Sequence, residues 1–324
     1  MNYRKLGRCG LKLSELSFGS WVTFNKQVDT GVAERMFGTC FDAGINFFDN
    51  AEGYESGGSE IVMGKALQAL GRPRDSYCVS SKVFFGAAKD PAPTQVGLSR
   101  KHVTEACHQA MQRLQVEYLD LYFCHRADPD TPIGETVWAM HNLVTQGKVL
   151  YWGTSEWTAE EITEAHEFAR ENHLTAPSME QPQYNLLDRE RFEVEYAPLY
   201  EKYGMGTTTW SPLASGALTG KYLNGIPEDS RAALPGYEWL REHMVESERG
   251  QGRMQRVANL MPIAEELGVS LSKLAIAWCL LNGKVSTVIL GASRLEQLEE
   301  NLEALEVVPL LTDEIQAKLS LQSA

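Results

Sequence analysis

The sequence lacks the features that mark several large classes of protein. It has no Lys/Arg-rich block, and its 43 acidic and 30 basic side chains give a net charge of −13 over 324 residues. Because nucleic-acid binding depends on a basic surface, this charge balance argues against a nucleic-acid partner. No run of about 18 apolar residues is present to cross a membrane, and the first twenty residues have no apolar core of the kind found in secretion signals. We therefore expect a cytoplasmic protein without membrane insertion.

Metal-ligand patterns are also missing. The six cysteines are scattered without a CxxC pair, and the seven histidines include no HExxH motif. Such spacings are typical of zinc sites, so we predict that the protein holds no metal. Isolated cysteines in a protein of this size indicate reduced, mostly buried thiols, as in cytosolic proteins.

What the sequence does contain is a regular alternation of apolar runs and amphipathic stretches. Eight runs predict strands at 13–21, 45–50, 77–83, 118–126, 149–157, 177–185, 205–213 and 286–293. Helical patterns occur at 32–43, 58–71, 100–114, 134–146, 158–172, 188–203, 253–267 and 294–305. This alternation predicts an α/β fold, a (β/α)8 TIM barrel. An open dinucleotide-binding sheet would need a GxGxxG turn after the first strand, where the sequence reads FGSWVTFNKQ.

Three segments fall outside this alternation. Residues 3–12 predict a hairpin ahead of the barrel, placed to plug its bottom, and residues 84–99 form a long loop after the third strand. Residues 214–252 form a longer segment after the seventh strand, which we predict to be a lid, because long loops in compact domains are usually functional. No linker divides the chain, so we predict a single domain spanning residues 1–324.

Four chemistry-bearing side chains stand at or near the ends of successive predicted strands: Asp49, Tyr54 in the loop that follows it, Lys82 and His125. In barrels of this kind the chemistry takes place at these ends. Neighbouring parallel strands bring their ends together, so we predict that Lys82 pairs with Asp49. We also expect the ammonium to lower the pKa of Tyr54 from its ordinary value of about 10. The set predicts a general acid, Tyr54, with His125 donating a hydrogen bond to a developing alkoxide.

Each of these residues also has a simpler structural explanation. An Asp–Lys pair at strand ends is more often structural than catalytic, a histidine beside an apolar strand is usually part of the core, and Tyr54 could be a turn residue. The conjunction of all four at one mouth favours the catalytic interpretation, because perturbed groups cluster at functional sites.

The order of these residues, within NFFDNAEGY, SSKV and LYFCHR, resembles the catalytic tetrad of the aldo-keto reductases. The resemblance covers essentially the whole chain. Five further stretches are similar to the voltage-gated potassium channel β subunits and their prokaryotic relatives: SFGSWVTFNKQ, GLSRKHVTEA, YWGTSEW, TWSPLASGALTGKY and LGASRLEQLEEN. The resemblance implies a reductase of small aldehydes or ketones that binds NADPH, or NADP(H) in general, across the barrel mouth.

The resemblance also implies cofactor-binding residues along that mouth. Near the nicotinamide it places Trp21, Gln27, Asp49, Ser155, Gln181 and Trp210, of which Ser155 and Gln181 hold the carboxamide and Trp210 stacks on the ring. Along the pyrophosphate it places Ser211, Pro212, Leu213, Ala214, Ser215, Lys221 and Arg231, and at the adenosine end Gly291, Ser293, Gln297, Glu300 and Asn301. The adenosine end precedes a predicted helix, whose first N–H groups suit a phosphate. There Arg294 is either a ligand of a 2′-phosphate, which would favour NADPH over NADH, or a solvated surface side chain.

The aromatic residues Trp21, Phe84 and Phe85 predict a substrate pocket, although the same side chains could belong to the core. Two positions depart from the family pattern. The channel β subunits carry Asn where this chain has His125, so the tetrad is complete here. Many reductases carry Asn where this chain has Glu156, which we leave out of the binding set.

Two other functions stay open at this stage. The first is an NADP(H)-sensing auxiliary subunit of a potassium channel with weak catalysis, although the predicted hairpin starts at residue 3 and leaves no inactivating arm ahead of it. The second is a barrel of unrelated chemistry, such as sugar-phosphate isomerisation, which leaves the match over 205–301 unexplained. The resemblance also implies a homo-oligomer, a tetramer or larger.

Overall fold

A computed structural model describes residues 1–21, 29–228, 230–233 and 241–323, with the backbone alone for Arg231, His243, Met244 and Ser323. Eight parallel strands close into a barrel, in the order β10-β3-β4-β5-β6-β7-β8-β9. They are β3 (Leu16–Gly19), β4 (Phe47–Asp49), β5 (Cys78–Val83), β6 (Leu119–Cys124), β7 (Val149–Thr154), β8 (Met179–Glu180), β9 (Gly206–Thr209) and β10 (Thr287–Leu290). Each predicted strand contains one of them, and the (β/α)8 TIM barrel is confirmed.

The predicted hairpin is also present, formed by the antiparallel strands β1 (Tyr3–Lys5) and β2 (Lys12–Ser14). It closes the end of the barrel at which the strands begin. Leu6 and Leu13 are fully buried there in a cluster with residues from inside the barrel, among them Phe47 and Met179. A glycine is required at the turn, since Gly7 has a φ of +54° and a side chain there would meet the carbonyl oxygen of Gly204 at 2.2 Å.

The helices surround the barrel and bury their apolar faces against it in one large core. They are α1 (Thr30–Asp42), α2 (Gly58–Leu70), α3 (Arg100–Leu114), α4 (Ile133–Thr145), α5 (Ala159–Glu171), α6 (Ala197–Tyr203), α7 (Glu248–Glu266), α8 (Leu271–Leu281), α9 (Leu295–Leu302), α10 (Ala304–Val307) and α11 (Asp313–Ser323). Among the described helices, none is both long enough and apolar enough to cross a membrane.

The structure corrects the helix prediction in four places. The pattern at 188–203 divides into a π turn at Arg191–Glu195 followed by α6, and the pattern at 294–305 divides into α9 and α10. Helices α8 and α11 were not predicted. Helix α8 is apolar on nearly every side, so it lacks the 3.6-residue period by which surface helices are recognised.

The segment after β9 is built from short pieces before α7 begins. A 3₁₀ turn spans Ala214–Thr219, another spans Arg231–Ala233, and a π turn spans Glu242–Glu246. The first turn contains Ser215 with a φ of +55° and Gly216 with a φ of +97°. Their backbone N–H groups donate within the turn, to Ser211 Oγ at 2.9 Å and to the carbonyl oxygen of Leu213 at 2.9 Å.

Candidate active site

The carboxyl ends of the barrel strands surround one elongated cavity with a volume of about 1010 Å³. Asp49 is the last residue of β4 and Lys82 the last but one of β5, and the first residue after each of β6, β7 and β8 is His125, Ser155 and Gln181. All of these except Lys82 line the cavity, as does Tyr54. The barrel therefore brings the four predicted chemistry-bearing residues to one mouth.

The predicted ion pair between Lys82 and Asp49 is confirmed. Lys82 is fully buried, and its Nζ lies 2.6 Å from Asp49 Oδ2. The same ammonium donates to the carbonyl of Asn50 at 2.8 Å and to the hydroxyl oxygen of Tyr54 at 3.2 Å. A buried ammonium is stabilised when several acceptors satisfy it in this way. Of the three N–H donors of the ammonium, one therefore points to the phenol oxygen, and the other two are satisfied by Asp49 and by the carbonyl of Asn50.

Asp49 is fixed by two further donors that the sequence did not reveal. Its Oδ1 accepts from Ser80 Oγ at 2.7 Å and from Gln181 Nε2 at 3.0 Å. The amide of Gln181 also donates to Thr208 Oγ1 at 3.2 Å. A carboxylate held by three donors keeps its orientation toward Lys82. Ser80 lies two residues before Lys82 on the same strand, so the period of two that orients side chains in a strand could have identified it.

The structure corrects the expected pKa of Tyr54. Burial raises the pKa of the phenol, and this effect outweighs the lowering by Lys82 and Arg126. Burial alone would lower the pKa of Lys82, but Asp49 and Tyr54 reverse this and raise the pKa above its ordinary value. At neutral pH the pair is therefore a protonated phenol beside a charged ammonium.

His125 lies beside Tyr54, with the ring centres 5.8 Å apart in an edge-to-face arrangement. Burial lowers the pKa of the imidazole well below its ordinary value, and the charges of Lys82 and Arg126 lower it further. The ring is therefore neutral at physiological pH. Its Nδ1 has no hydrogen-bond partner in the part of the chain that the structure describes.

Trp210, directly after β9, is positioned by Glu156. The indole Nε1 donates to Glu156 Oε1 at 2.9 Å, and Arg191 holds the other carboxylate oxygen at 2.8 Å. Glu156 itself has a φ of +59°, which is unusual for a residue with a side chain. Trp210 lines the cavity, and its ring centre lies 6.0 Å from that of Trp21. Glu156 does not line the cavity and instead fixes the orientation of a ring that does.

The far end of the cavity is polar, and among the described residues it carries two cations, Lys221 and Arg294. Its walls come from the loops after β9 and β10 and from α9; these residues include Ser211, Pro212, Leu213, Ser215, Lys221, Gly291, Ser293, Arg294, Gln297, Glu300 and Asn301. Ser230 also lies there, and its buried Oγ has no hydrogen-bond partner among the described residues. An aromatic ring at one end, cations farther along and an unsatisfied buried hydroxyl fit an elongated phosphate-bearing ligand such as a nicotinamide dinucleotide.

Some predicted residues lie elsewhere. Phe85 lines the cavity, but Phe84 packs against the core instead, and Ala214 is buried outside the cavity wall. Gln27 is outside the described residues, and the side chain of Arg231 is not described, so both remain predictions.

Glu52 holds the loop that carries Phe85. Its Oε1 accepts from the backbone N–H groups of Phe84 at 2.8 Å and Gly86 at 3.0 Å. Its Oε2 lies 3.4 Å from Nε2 of His102, whose pKa is raised because Glu52 and the carbonyl of Gly97 outweigh the lowering effect of burial. Sequence reasoning did not assign these two residues. Within the described residues, no group of three or more His, Cys, Asp or Glu side chains could hold a metal ion.

Comparison with known proteins agrees with the closed parallel barrel. The chain belongs to the aldo/keto reductase family, whose model matches residues 15–321. This family generally uses NAD(P)H, and membership supports an oxidoreductase.

Two relatives are similar over nearly the whole chain. A "Probable voltage-gated potassium channel subunit beta" of Oryza sativa subsp. japonica is 49% identical over 320 residues, covering 98% of this chain and 95% of that protein. A protein of the same name from Arabidopsis thaliana is 49% identical over 313 residues, covering 96% of this chain and 93% of that protein.

Proposed function

We propose that this protein is a cytoplasmic NADPH-dependent reductase that converts aldehydes or ketones to alcohols, with Tyr54 as the general acid. The observation that carries the proposal is the position of the Tyr54 hydroxyl. It lies 3.2 Å from a lysine that is itself paired with Asp49 at 2.6 Å, at the wall of the cavity. A protonated phenol with a charged neighbour is suited to give up its proton, because the ammonium stabilises the phenolate left behind.

A bound reduced nicotinamide supplies a hydride. The protein's part is to position the carbonyl and to neutralise the charge that develops on its oxygen. Tyr54 donates its proton to that oxygen, and Lys82 stabilises the resulting phenolate. His125, neutral at physiological pH, donates an N–H to the same oxygen without competing for the proton. The high pKa of Tyr54 keeps the donor protonated, and an alkoxide is basic enough to accept from it.

The polar end of the cavity supports NADPH as the cofactor. Lys221 and Arg294 line that end, and both are cations of the kind that bind phosphate. We propose that Ser155 and Gln181 contact the carboxamide, that Trp210 stacks on the nicotinamide, and that Arg294 contributes to a preference for the extra 2′-phosphate. Fluorescence titration with NADPH and NADH in parallel tests this preference, and equal affinity for the two would contradict it.

The acid assignment is tested by replacing Tyr54 with phenylalanine. We expect NADPH oxidation with 4-nitrobenzaldehyde or methylglyoxal to fall by at least about a hundredfold in kcat, because general acid catalysis commonly contributes 10²–10⁴-fold. Tyr118→Phe is the matched control, since that ring packs on Arg74 at 4.2 Å and does not line the cavity. Equal turnover of Tyr54→Phe and wild type would overturn the assignment.

A second candidate function is favoured by the names of the two plant relatives. In it the protein is an NADP(H)-sensing auxiliary subunit of a potassium channel, with weak catalysis. We rank the reductase above this alternative, because all four residues of the tetrad are present around Lys82. Recovery of a channel subunit by affinity capture, together with negligible turnover of a broad carbonyl panel, would reverse this order.

We also propose that the protein is a homo-oligomer of four or more subunits, as the family resemblance implies. Light scattering coupled to size-exclusion chromatography measures the mass directly. The chain is 36.1 kDa, so a single species at that mass would contradict the proposal.

A further inference from the structure

A cation at the substrate end of the cavity, Arg126, has no part in the proposed proton transfer. Arg126 follows His125 directly and lines the cavity beside Tyr54 and Phe85. Its guanidinium carbon lies 5.8 Å from the centre of the Phe85 ring, which is itself 5.1 Å from the centre of the His125 ring. The guanidinium is half-buried and adjoins the residues that would receive the carbonyl.

The acidic groups of this region are engaged elsewhere. Asp49 is paired with the tetrad lysine, Glu52 accepts two backbone N–H groups, and Asp128 accepts from the backbone N–H of Leu98 at 2.7 Å. Within the part of the chain that the structure describes, Arg126 forms no ion pair, and its guanidinium donates only to the carbonyl oxygen of His125. At the substrate end of the cavity, Arg126 is therefore a positive charge with no described carboxylate within ion-pair distance.

Arg126 is also placed away from the cations assigned to the cofactor. In the eight-stranded barrel, β6 lies four strands from β10, directly across the mouth. Arg294 follows β10, and Lys221 belongs to the segment after β9. A dinucleotide phosphate bound on the β9–β10 side is therefore not the partner of Arg126.

We propose that Arg126 is a specificity-determining residue that binds a carboxylate of the substrate, so that the preferred substrates are aldehydes or ketones carrying a carboxylate group. A guanidinium presents a planar set of N–H donors that matches a carboxylate in a two-bond arrangement, and partial burial strengthens the pair. The proposal rests on the proposed reductase function. In the reaction the hydride forms a C–H bond at the carbonyl carbon, the C=O π bond breaks, and Tyr54 gives its proton to the oxygen. NADPH is oxidised to NADP⁺, and the carboxylate is unchanged.

A shape-matched substrate pair tests the proposal. We expect wild type to have a kcat/KM for 4-carboxybenzaldehyde at least about tenfold above that for methyl 4-formylbenzoate, which places a neutral ester at the same position. In Arg126→Met we expect this ratio to fall by about ten- to a hundredfold, the effect of a lost charge-assisted hydrogen-bond pair. Arg126→Lys keeps the charge but not the planar donor set and should give an intermediate ratio.

The matched control is Arg72→Met, which removes an exposed arginine paired with Asp42 on the outside of the barrel. We expect it to keep the wild-type ratio. An equal loss for both substrates in Arg126→Met would mean that the arginine only supports the packing of Phe85, and would overturn the proposal. A stronger preference for 4-formylphenyl phosphate than for 4-carboxybenzaldehyde would overturn the carboxylate assignment.

Calorimetric titration separates this proposal from the proposed function. Benzoate and benzamide are titrated into wild type and Arg126→Met, with and without NADP⁺. We expect benzoate to bind at least about tenfold more weakly to the variant, with a much smaller change for benzamide. If no carbonyl substrate is turned over but benzoate binding still depends on Arg126, the reductase proposal fails and the carboxylate site stands. If benzoate binds both proteins equally, the carboxylate site fails.

Discussion

At the residue scale, the site depends on contacts of two kinds, and the sequence predicts only one of them. The pair between Lys82 and Asp49 follows from the parallel order of the strands, which any barrel would impose. The roles of Ser80 and Glu156 depend on where side chains point and which neighbours they reach. The pKa of Tyr54 was predicted in the wrong direction, because the effect of burial depends on packing that a sequence does not display.

Glu156 allows a prediction about cofactor binding. In Glu156→Ala the indole of Trp210 loses its acceptor and Arg191 loses one of its two carboxylate partners, so the ring is no longer held at the cavity wall. We expect NADPH to bind about tenfold more weakly, the cost of roughly one buried charged hydrogen bond. The quenching of tryptophan fluorescence by NADPH measures this affinity. Glu156→Gln keeps an acceptor oxygen for the indole and should lose less affinity for NADPH. Unchanged affinity in Glu156→Ala would show that Trp210 does not need Glu156 to hold its ring in place.

At the scale of helices and strands, most helices with one apolar and one polar face were predicted closely, whereas a helix that is apolar on nearly every side was not. The capping box of α5 shows that local sequence can be enough to predict where a helix begins. The Thr158 hydroxyl accepts from the N–H of Glu161 at 3.2 Å, and the Glu161 carboxylate accepts from the N–H of Thr158 at 2.7 Å. Helix α8 carries no such polar pattern, because nearly all of its residues are buried between the barrel and neighbouring helices. The close contact of α2 with α3 was also invisible, because it depends on a single glycine in the middle of a helix.

Two helical glycines give opposite expectations for the same substitution. A side chain at Gly64 in α2 would lie 2.6 Å from the carbonyl oxygen of Arg113, whereas one at Gly38 in α1 would have its nearest contact at 3.9 Å, with Leu70. We expect Gly64→Ala to lower the free energy of unfolding by about 1–3 kcal/mol through overpacking. Gly38→Ala should raise it by about 0.5–1 kcal/mol, the ordinary gain of alanine in a helix. Urea denaturation measures both, and a stabilised Gly64→Ala would contradict the close packing of α2 on α3.

At the scale of the whole molecule, eight βα repeats were enough to predict the closed barrel and the mouth at which the site lies. The hairpin that closes the opposite end was predicted too, from the glycine turn within residues 3–12, and the structure adds that Leu6 and Leu13 are buried there. That opposite end also holds a buried histidine of α5, His166, which stacks on Tyr203 with ring centres 3.9 Å apart. Its position follows from three-dimensional packing and not from any sequence pattern.

His166 makes the stability of the fold depend on pH. Burial, aided by Arg8 and Lys202, lowers the pKa of its ring to about 4. In the unfolded chain the ring binds a proton below about pH 6.5, so between that pH and about 4 the unfolded state holds more protons and stability falls as the pH falls. Between pH 7 and 5 this loss amounts to about 2 kcal/mol.

We expect His166→Phe, which keeps the ring stacking, to lose correspondingly less stability than wild type over this range, measured by urea denaturation at both pH values. His108→Gln, at an exposed position of α3, is the control and should follow wild type. Parallel pH profiles for wild type and His166→Phe would show that the ring is not held neutral.

The central claim is that the cavity beside Tyr54 is the place of hydride transfer, and isotope labelling tests it most directly. NADPH carrying deuterium at the transferring position of C4 is incubated with the protein and 4-nitrobenzaldehyde, and the alcohol is analysed by mass spectrometry. The account predicts one deuterium on the carbinol carbon, formed at a rate that falls sharply in Tyr54→Phe. Absence of alcohol, or alcohol without deuterium, would contradict it.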